Sequence, residues 1–424
     1  MSGPLTGVRV LDLTHVLNGP FCTLMLAHMG AEVLKVEYGE GDRFRHIWMP
    51  ADVKRDGYEF IAMNCNKKGI VLDMKKAEGK KLFLDLMKKS DAVVENFSAG
   101  AMERLGLGYE ALREINPRII YACSRGFGET GPYKHVRANA ATISAIAGWA
   151  HEGMRLSKTP GAKTPSLGDE TAGVSMCMGI LAALYNREKT GKGQKIEVSM
   201  HEAILGFMVS SLHTHFENQE VGPAPKPCND GYYYFHVPDM TDEAWAKLAA
   251  PLGDAALAKD PRFLTVRDRQ RNYAAVEDSI SDLVSRKSRR EVWEVMSSLG
   301  LASGPVLTVG ESVEDQHLKA RGAFVEIDHP EAGKVKILAP WVRFSDTPSA
   351  ITSPSPLMGQ HNREVFGRIL GLSTEEIDAL EEKNIISSAV PSEALSRGRT
   401  SSRRRRVAPG RRRARKGAID INLE

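Results

Sequence analysis

The chain predicts an α/β fold: a mostly parallel sheet covered by helices on both faces, followed by a second, more helical region. Three observations carry this. Short apolar runs alternate with stretches of helical spacing over the first 125 residues, which is the pattern of a doubly covered parallel sheet. Glycine turns separate the runs, at Gly30 and again at Thr190-Gly191-Lys192-Gly193. Near Glu220 the texture changes, with three prolines and two glycines gathered in GPAPKPCNDG before an aromatic strand.

Taken in order, Val8 to Leu13 reads as a strand, Pro20 opens a helix that runs through Met29, and Gly30 ends it. Glu32 to Glu37 returns as a second strand. Gly69 to Met74 is a third, Ala77 to Lys89 a helix with Leu82, Leu86 and Met87 on one side, and Ala92 to Phe97 and Arg118 to Cys123 two further strands. A long helix follows Asp169, with Met176, Ile180 and Leu184 on one face, then the strand Lys195 to Val198 and a helix from Ser199. Beyond the proline cluster come the strand Gly231 to Val237 and helices that include Arg290 to Leu299, whose Val292, Val295, Met296 and Leu299 form one stripe ended by Gly300. Ala323 to Ile327 and Val335 to Leu338 read as extended, and Ser373 with Glu376 opens a last helix through a capping box.

At 424 residues the chain exceeds one typical core, so two or three domains are expected. Five scattered cysteines without a CxxC pair argue against a disulfide framework and a zinc site and fit a reducing cytoplasm. No apolar run reaches membrane-spanning length and no signal-peptide layout opens the chain. The net charge of +4 hides an asymmetry. Arg397 to Lys416 holds 11 basic residues, and only Asp420 and Glu424 are acidic after residue 396; the totals of 57 basic and 53 acidic residues then leave residues 1–396 at −5. The body is mildly acidic, and residues 387–424 read as a basic disordered tail. That tail raises a nucleic-acid reading, which the lack of aromatic residues after Arg397 weakens.

Asp169, in PSLGDETAG, is the prime candidate for chemistry. A carboxylate at a helix start meets unpaired backbone N–H groups and the positive end of the macrodipole, which favour its ionised form. Such an anion can cap the helix or act as a nucleophile. GFGETG (126–131) matches a dinucleotide-binding glycine pattern, but Pro132 follows at once and no helix starts inside it, so a dehydrogenase reading is weak. His213 and His215 lie two apart on a helix and point to different faces, as packing or surface residues do. No metal site is expected. Lys67, Lys68, Lys75, Arg104, Arg125 and Arg137 fall near loop ends, where a parallel sheet can gather cations on a phosphate-bearing ligand.

LDLTHVLNGPFCTLMLAHMGAEVLKVEYGEGDRFR, NKKGIVLDMKKAEGKKLF, VVENFSAGAMERLGLGYEAL, SLGDETAG, REKTGKGQKIEVSMHEAI, LASGPVLTVGESVEDQHLKARG and SPLMGQHNREVF, in this order, resemble the signature blocks of the class III (family III) coenzyme A transferases. The resemblance covers about residues 4–386. It implies a Rossmann-like large domain built from both chain ends (1–222 and 322–386), a smaller α+β domain (229–321) and an interlocked homodimer. It also implies transfer of CoA from an acyl-CoA to a small carboxylic acid through an aspartyl-CoA thioester on Asp169, with no cofactor beyond the substrate CoA.

By the same resemblance, CoA contacts fall on His15, Leu17 and Asn18, on Tyr38, on Leu72, Asp73, Met74 and Lys75, on Asn96, Phe97 and Ser98, on Arg104, and on Arg137, Ala138, Asn139 and Ala140. Leu17, Tyr38 and Asn139 stand where formyl-CoA transferase, a family member, has glutamine, arginine and tyrosine. A covering glycine loop of that enzyme is missing between Val221 and Gly231. An acyl-CoA racemase or isomerase of the same family is the alternative. Its histidine aligns with Asn139, which cannot ionise.

Overall fold

The computed structural model describes residues 3–47, 49, 55–161, 163–218, 225–235 and 240–387. The chain divides into two compact units. The first draws on residues up to Ser124, on Met176–Glu197 and on residues from Thr352 onward; the second comprises Arg125–Ser175 and Val198–Ile351.

The walk along the chain begins with β1 (Arg9–Asp12), α1 (Asn18–His28), β2 (Glu32–Glu37), α2 (Tyr58–Met63), β3 (Lys67–Val71), α3 (Ala77–Lys88), β4 (Ala92–Glu95), α4 (Ala101–Arg104), α5 (Tyr109–Ile115) and β5 (Ile120–Arg125). It continues through α6 (Ala140–Ile146), α7 (Trp149–Ser157), α8 (Gly168–Thr190), β6 (Lys195–Ser199), α9 (Met200–Phe207) and α10 (Val209–Glu217). The strands β1 to β6 form one sheet in the order β3-β2-β1-β4-β5-β6. Strand pairings from β3 across to β5 are all parallel.

That order has a physical consequence. The chain builds outward from β1 to β3, then returns to the other side of β1 and builds from β4 to β6, so neighbouring connections leave in opposite directions between β1 and β4. The carboxyl ends of the strands then border a crevice at this switch point, where open α/β sheets take their ligands. Near-continuous apolar strands suit a sheet buried on both faces: Val10, Leu11, Val33, Leu34, Ile70, Val93 and Val94 are fully buried. α3 is amphipathic, sending Leu82, Phe83, Leu86 and Met87 inward. α1 is buried nearly all round, polar residues included, which is why its sequence shows no single apolar face.

Both ends of the chain share this core. Val365, Phe366, Ile369, Ile377, Ile385 and Ile386 pack with Leu11, Leu34, Ile70, Phe83 and Leu86. The helix Thr374–Glu382 starts with the capping box read from the sequence, Ser373 and Glu376 each bonding the other's backbone.

In the second unit, β7 (Lys226–Cys228), β8 (Gly231–Phe235) and β9 (Ser303–Pro305) form an antiparallel sheet. Period-two alternation in GYYYF buries Tyr233 and Phe235, and they pack with Trp245, Ile280 and Met296 from the helices that follow and with Phe263 from a turn between them. β10 (Phe324–His329) and β11 (Gly333–Leu338) make a separate hairpin in the same unit. Residues 221–224, where the shortened covering loop was expected, and the tail 388–424 lie outside the described residues.

Candidate active site

The first unit brings eleven of the sequence-derived positions to the carboxyl edge of its sheet, and Arg104 follows on α4. His15, Leu17 and Asn18 follow β1, Tyr38 follows β2, Leu72 to Lys75 follow β3, and Asn96 to Ser98 follow β4. Because the four strands are parallel, all four loops leave from the same edge. At the switch point itself the β1 and β4 loops clasp each other. Asn96 Oδ1 accepts from the His15 N–H at 2.8 Å, and Asn96 Nδ2 donates to the His15 carbonyl at 2.8 Å and to Asn18 Oδ1 at 2.9 Å. The His15 ring stands 5.6 Å from that of Phe97. Burial, and then the Lys35 charge, lower the His15 pKa against the pull of Asp42, Glu37 and Asp12.

Around the rim, the exposed Lys75 ammonium lies 5.5 Å from the centre of the Tyr38 ring. The Tyr38 phenol is raised by burial and by the neighbouring Asp73 carboxylate. Backbone bonds fix the β3 loop: Leu72 donates to the Glu37 carbonyl, Asp73 to the Ile385 carbonyl, and Lys75 to Asp73 Oδ1. Gly79 lets α3 press on this loop, since a Cβ there would stand 2.0 Å from the Asp73 carbonyl oxygen. Leu72 points into the core and Asp73 is buried. Met74 is half-buried, while Lys75, Ser98 and Arg104 are exposed.

Beneath these loops lies a layer of buried, paired charges. Asp12 Oδ2 accepts from Lys67 Nζ at 3.0 Å and from Thr23 Oγ1 at 2.7 Å, while Thr14 N–H donates to its Oδ1 at 2.9 Å. Lys35 Nζ donates to Asp42 Oδ2 at 2.9 Å and to the Thr14 carbonyl at 2.5 Å. Arg45 grips Glu37 through two bonds, 2.9 and 2.6 Å, and Asp56 at 2.6 Å, with its guanidinium 3.7 Å from the centre of the Phe60 ring. All seven charged groups are at most 5% exposed. Buried charges persist only when paired and hydrogen-bonded.

Their proton affinities follow from this packing. Burial alone would raise the Asp12 carboxyl, but Lys67 and Lys35 hold it well below the usual range. Burial pushes Lys67 down to about 8 against the pull of Asp12. Burial disfavours the Lys35 ammonium too, yet Asp42, Asp12 and Glu37 together raise it.

Several loop-end cations therefore belong to the frame. Lys67 is inside the sheet, Lys68 pairs with Glu32 and Glu364, and Arg125 pairs with Glu129. Lys75, Arg104 and Arg137 remain exposed, as phosphate contacts require. A signal for the hidden layer did exist, because Lys35 interrupts the apolar strand EVLKVE, and a lysine there demands a buried partner.

The second unit holds the remaining candidates. Asp169 is half-buried in the first turn of α8, which begins at Gly168. Gly168 touches the segment that was expected to meet CoA: a Cβ on it would lie 3.4 Å from Ala140 Cα. Trp149 Nε1 donates to the Pro165 carbonyl at 2.8 Å, which ties α7 to the turn before α8. Beside Asp169, burial raises the Glu170 carboxyl, and its Oε2 has no hydrogen-bond partner among the described residues.

Ala138 packs under Gly126, whose Cβ would stand 2.6 Å from that of Ala138. Asn139 uses its side-chain oxygen to cap α6, accepting from Thr142 N–H at 3.0 Å. GFGETG contains bends and no helix, and α6 starts only at Ala140. His213 and His215 are exposed on α10. No cluster of three or more metal-binding side chains occurs among the described residues.

Doubly wound sheet and switch-point loops fit a nucleotide-type ligand, and the comparisons give the class. Residues 5–362 match CoA-transferase family III. The chain belongs to this family, and it is an enzyme of the CoA-transferase class. It is 35% identical to formyl-CoA:oxalate CoA-transferase of Streptomyces coelicolor, over 90% of this chain and 99% of that one. It is 33% identical to succinyl-CoA–D-citramalate CoA-transferase of Chloroflexus aurantiacus, over 90% and 98%. A crystal structure of a CAIB/BAIF family protein from Brucella suis superposes with a TM-score of 0.76 at 30% identity, covering 87% of this chain and all of the other. No helix among the described residues is long and apolar enough to cross a membrane.

Proposed function

We propose that the enzyme moves coenzyme A from an acyl-CoA donor to a free carboxylic acid through a thioester on Asp169. The Asp169 carboxylate attacks the donor carbonyl, the C–S bond breaks, and CoA leaves as thiolate from a mixed anhydride. The thiolate attacks the aspartyl carbonyl and releases the donor acid as its carboxylate. An acceptor carboxylate then attacks the aspartyl-CoA carbonyl, and thiolate departs again. Finally the thiolate takes the acceptor acyl group and frees Asp169. Every group enters and leaves as an anion, so no proton transfer is required.

The observation that carries this reading is the position of Asp169: a half-buried carboxylate on the first turn of a long helix, whose dipole and free N–H groups favour the anion. Lys75, Arg104 and Arg137 supply exposed charge for CoA phosphates. The names of the relatives, which act on oxalate and citramalate, support a small anionic acid as acceptor. A homodimer belongs to the same proposal, and Phe207, Val209 and Phe216, each more than 60% exposed, offer apolar surface for it. Racemisation is disfavoured, because Asn139 cannot ionise to act as acid or base and its side chain caps α6.

The test is a mass-spectrometric screen of CoA exchange over a panel of small acids, with formyl-CoA and succinyl-CoA as donors. Hydroxylamine added during turnover should modify Asp169, and Asp169→Asn should lose exchange. Exchange at the parent rate by Asp169→Asn would overturn the mechanism.

A further inference from the structure

Among the described residues, five that are not glycine have positive φ: Val16, Asn66, Lys158, Asn218 and Asn384. Asparagine tolerates that region because its short amide bonds locally, and unbranched lysine is tolerated more readily than a β-branched residue. Val16, at φ 68°, is β-branched, and its Cβ is driven toward backbone oxygen. Such a conformation persists only where the surroundings over-determine it.

Here they do. The two peptide groups that flank His15 have all four polar atoms bound by side chains, none by a sheet ladder. In the first, Lys35 Nζ binds the Thr14 carbonyl and Asn96 Oδ1 the His15 N–H. In the second, Asn96 Nδ2 binds the His15 carbonyl and Asp42 Oδ1 the Val16 N–H at 3.0 Å. Asp42 is fully buried and doubly committed, since Lys35 holds its Oδ2 while its Oδ1 also takes the Phe44 N–H at 3.0 Å. Directly beyond Val16, Leu17 occupies the N-cap position of α1 without a side-chain bond, and the buried Asn18 meets Asn96. The left-handed turn is thus the joint between a clamped pair of peptides and the start of α1.

We propose that Asp42, clamped by Lys35, is a positioning residue that holds Val16 in its left-handed turn and so fixes the His15 to Asn18 loop against which acyl-CoA is bound. This rests on the reading of that loop as a CoA contact. Asp42 touches no substrate; it acts through the backbone of the loop.

Calorimetric titration with CoA, and KM for acyl-CoA against KM for the acceptor acid, read the effect. Asp42→Ala removes the acceptor for Val16, and Asp42→Asn keeps it. The alanine variant should weaken CoA binding and raise the acyl-CoA KM by roughly tenfold to a hundredfold. It should leave the acceptor KM within about twofold, and the asparagine variant should recover most of the loss. Val16→Gly frees the turn without touching the buried charges, so it reports even if Asp42→Ala fails to fold. It should weaken CoA binding in the same direction, and adding Asp42→Ala to it should cost less than in the parent.

If Val16→Gly binds CoA as tightly as the parent, or if a folded Asp42→Ala does so, the inference is overturned. Leu17→Asp separates that failure from the failure of the underlying reading. Should Leu17→Asp abolish CoA binding while the other two do nothing, the loop is a CoA contact and only the role of Asp42 falls. Should Leu17→Asp also be without effect, the reading of the loop falls with it.

Discussion

His28, the last residue of α1, offers a quantitative test of the frame beneath the site. It is 6% exposed, and burial followed by the charge of Lys67 lowers its pKa from 6.5 to about 4. The unfolded chain therefore takes up a proton at this ring well before the folded protein does. For a group whose folded value is depressed, stability is complete above the unfolded value, declines as pH falls through the interval from 6.5 to about 4, and levels off below it. At about 1.4 kcal/mol for each pH unit of separation, His28 withdraws about 2 kcal/mol between pH 7 and pH 5, and about 3 kcal/mol by pH 4. Urea unfolding followed by tryptophan fluorescence at pH 7, 6 and 5 measures the total pH dependence, to which carboxylates also contribute. His28→Gln keeps a polar side chain without a proton to gain. The difference in pH dependence between parent and variant isolates the ring, and it should amount to about 2 kcal/mol over that range. Equal losses in the two proteins would refute a neutral buried His28.

Two further outcomes follow from the same packing. Gly79→Ala places a Cβ 2.0 Å from the Asp73 carbonyl oxygen, which cannot give way without moving the loop from Leu72 to Lys75; a loss of about 1–3 kcal/mol in urea unfolding is expected, together with weaker CoA binding by calorimetry. Arg45→Leu strands Glu37 and Asp56 in the interior without their cation, so it should cost about 3–5 kcal/mol, a loss that Arg45→Lys only partly restores because lysine cannot reproduce the two-pronged grip on Glu37.

How far the sequence reveals this molecule depends on how local each cause is. Apolar period and turn residues act within a few positions, and they placed β1, β2, α3, β4, β6 and the hairpin of β10 and β11 to within one or two residues. The capping box at Ser373 is equally local. α1 shows the limit: it begins at Asn18, two residues before the proline expected to open it, with no side-chain cap on Leu17. Asn96, far along the chain, anchors that end instead. α6 carries too many small residues to show a helical period, and its start is set by Asn139, whose side chain caps it. Lys67 looked like an exposed loop cation because its partner Asp12 lies 55 residues away, and no window reveals that burial.

The turn after β1 carries the same lesson into function. Nucleotide-binding sheets that use GxGxxG set this turn with glycine, which adopts left-handed backbone at no steric cost. In this chain the only matching pattern, GFGETG, follows β5, and the turn after β1 is made by valine. Its geometry is imposed by Asp42, 26 residues on, through a charge that Lys35 keeps in the interior. A glycine turn is flexible until ligand fills it, whereas a clamped valine is already in place. Two buried side chains thus do by electrostatics what a glycine does by lacking a side chain. The cost is an ion-pair layer in the core, and the layer explains why so many charged residues of the first 70 positions are hidden from solvent.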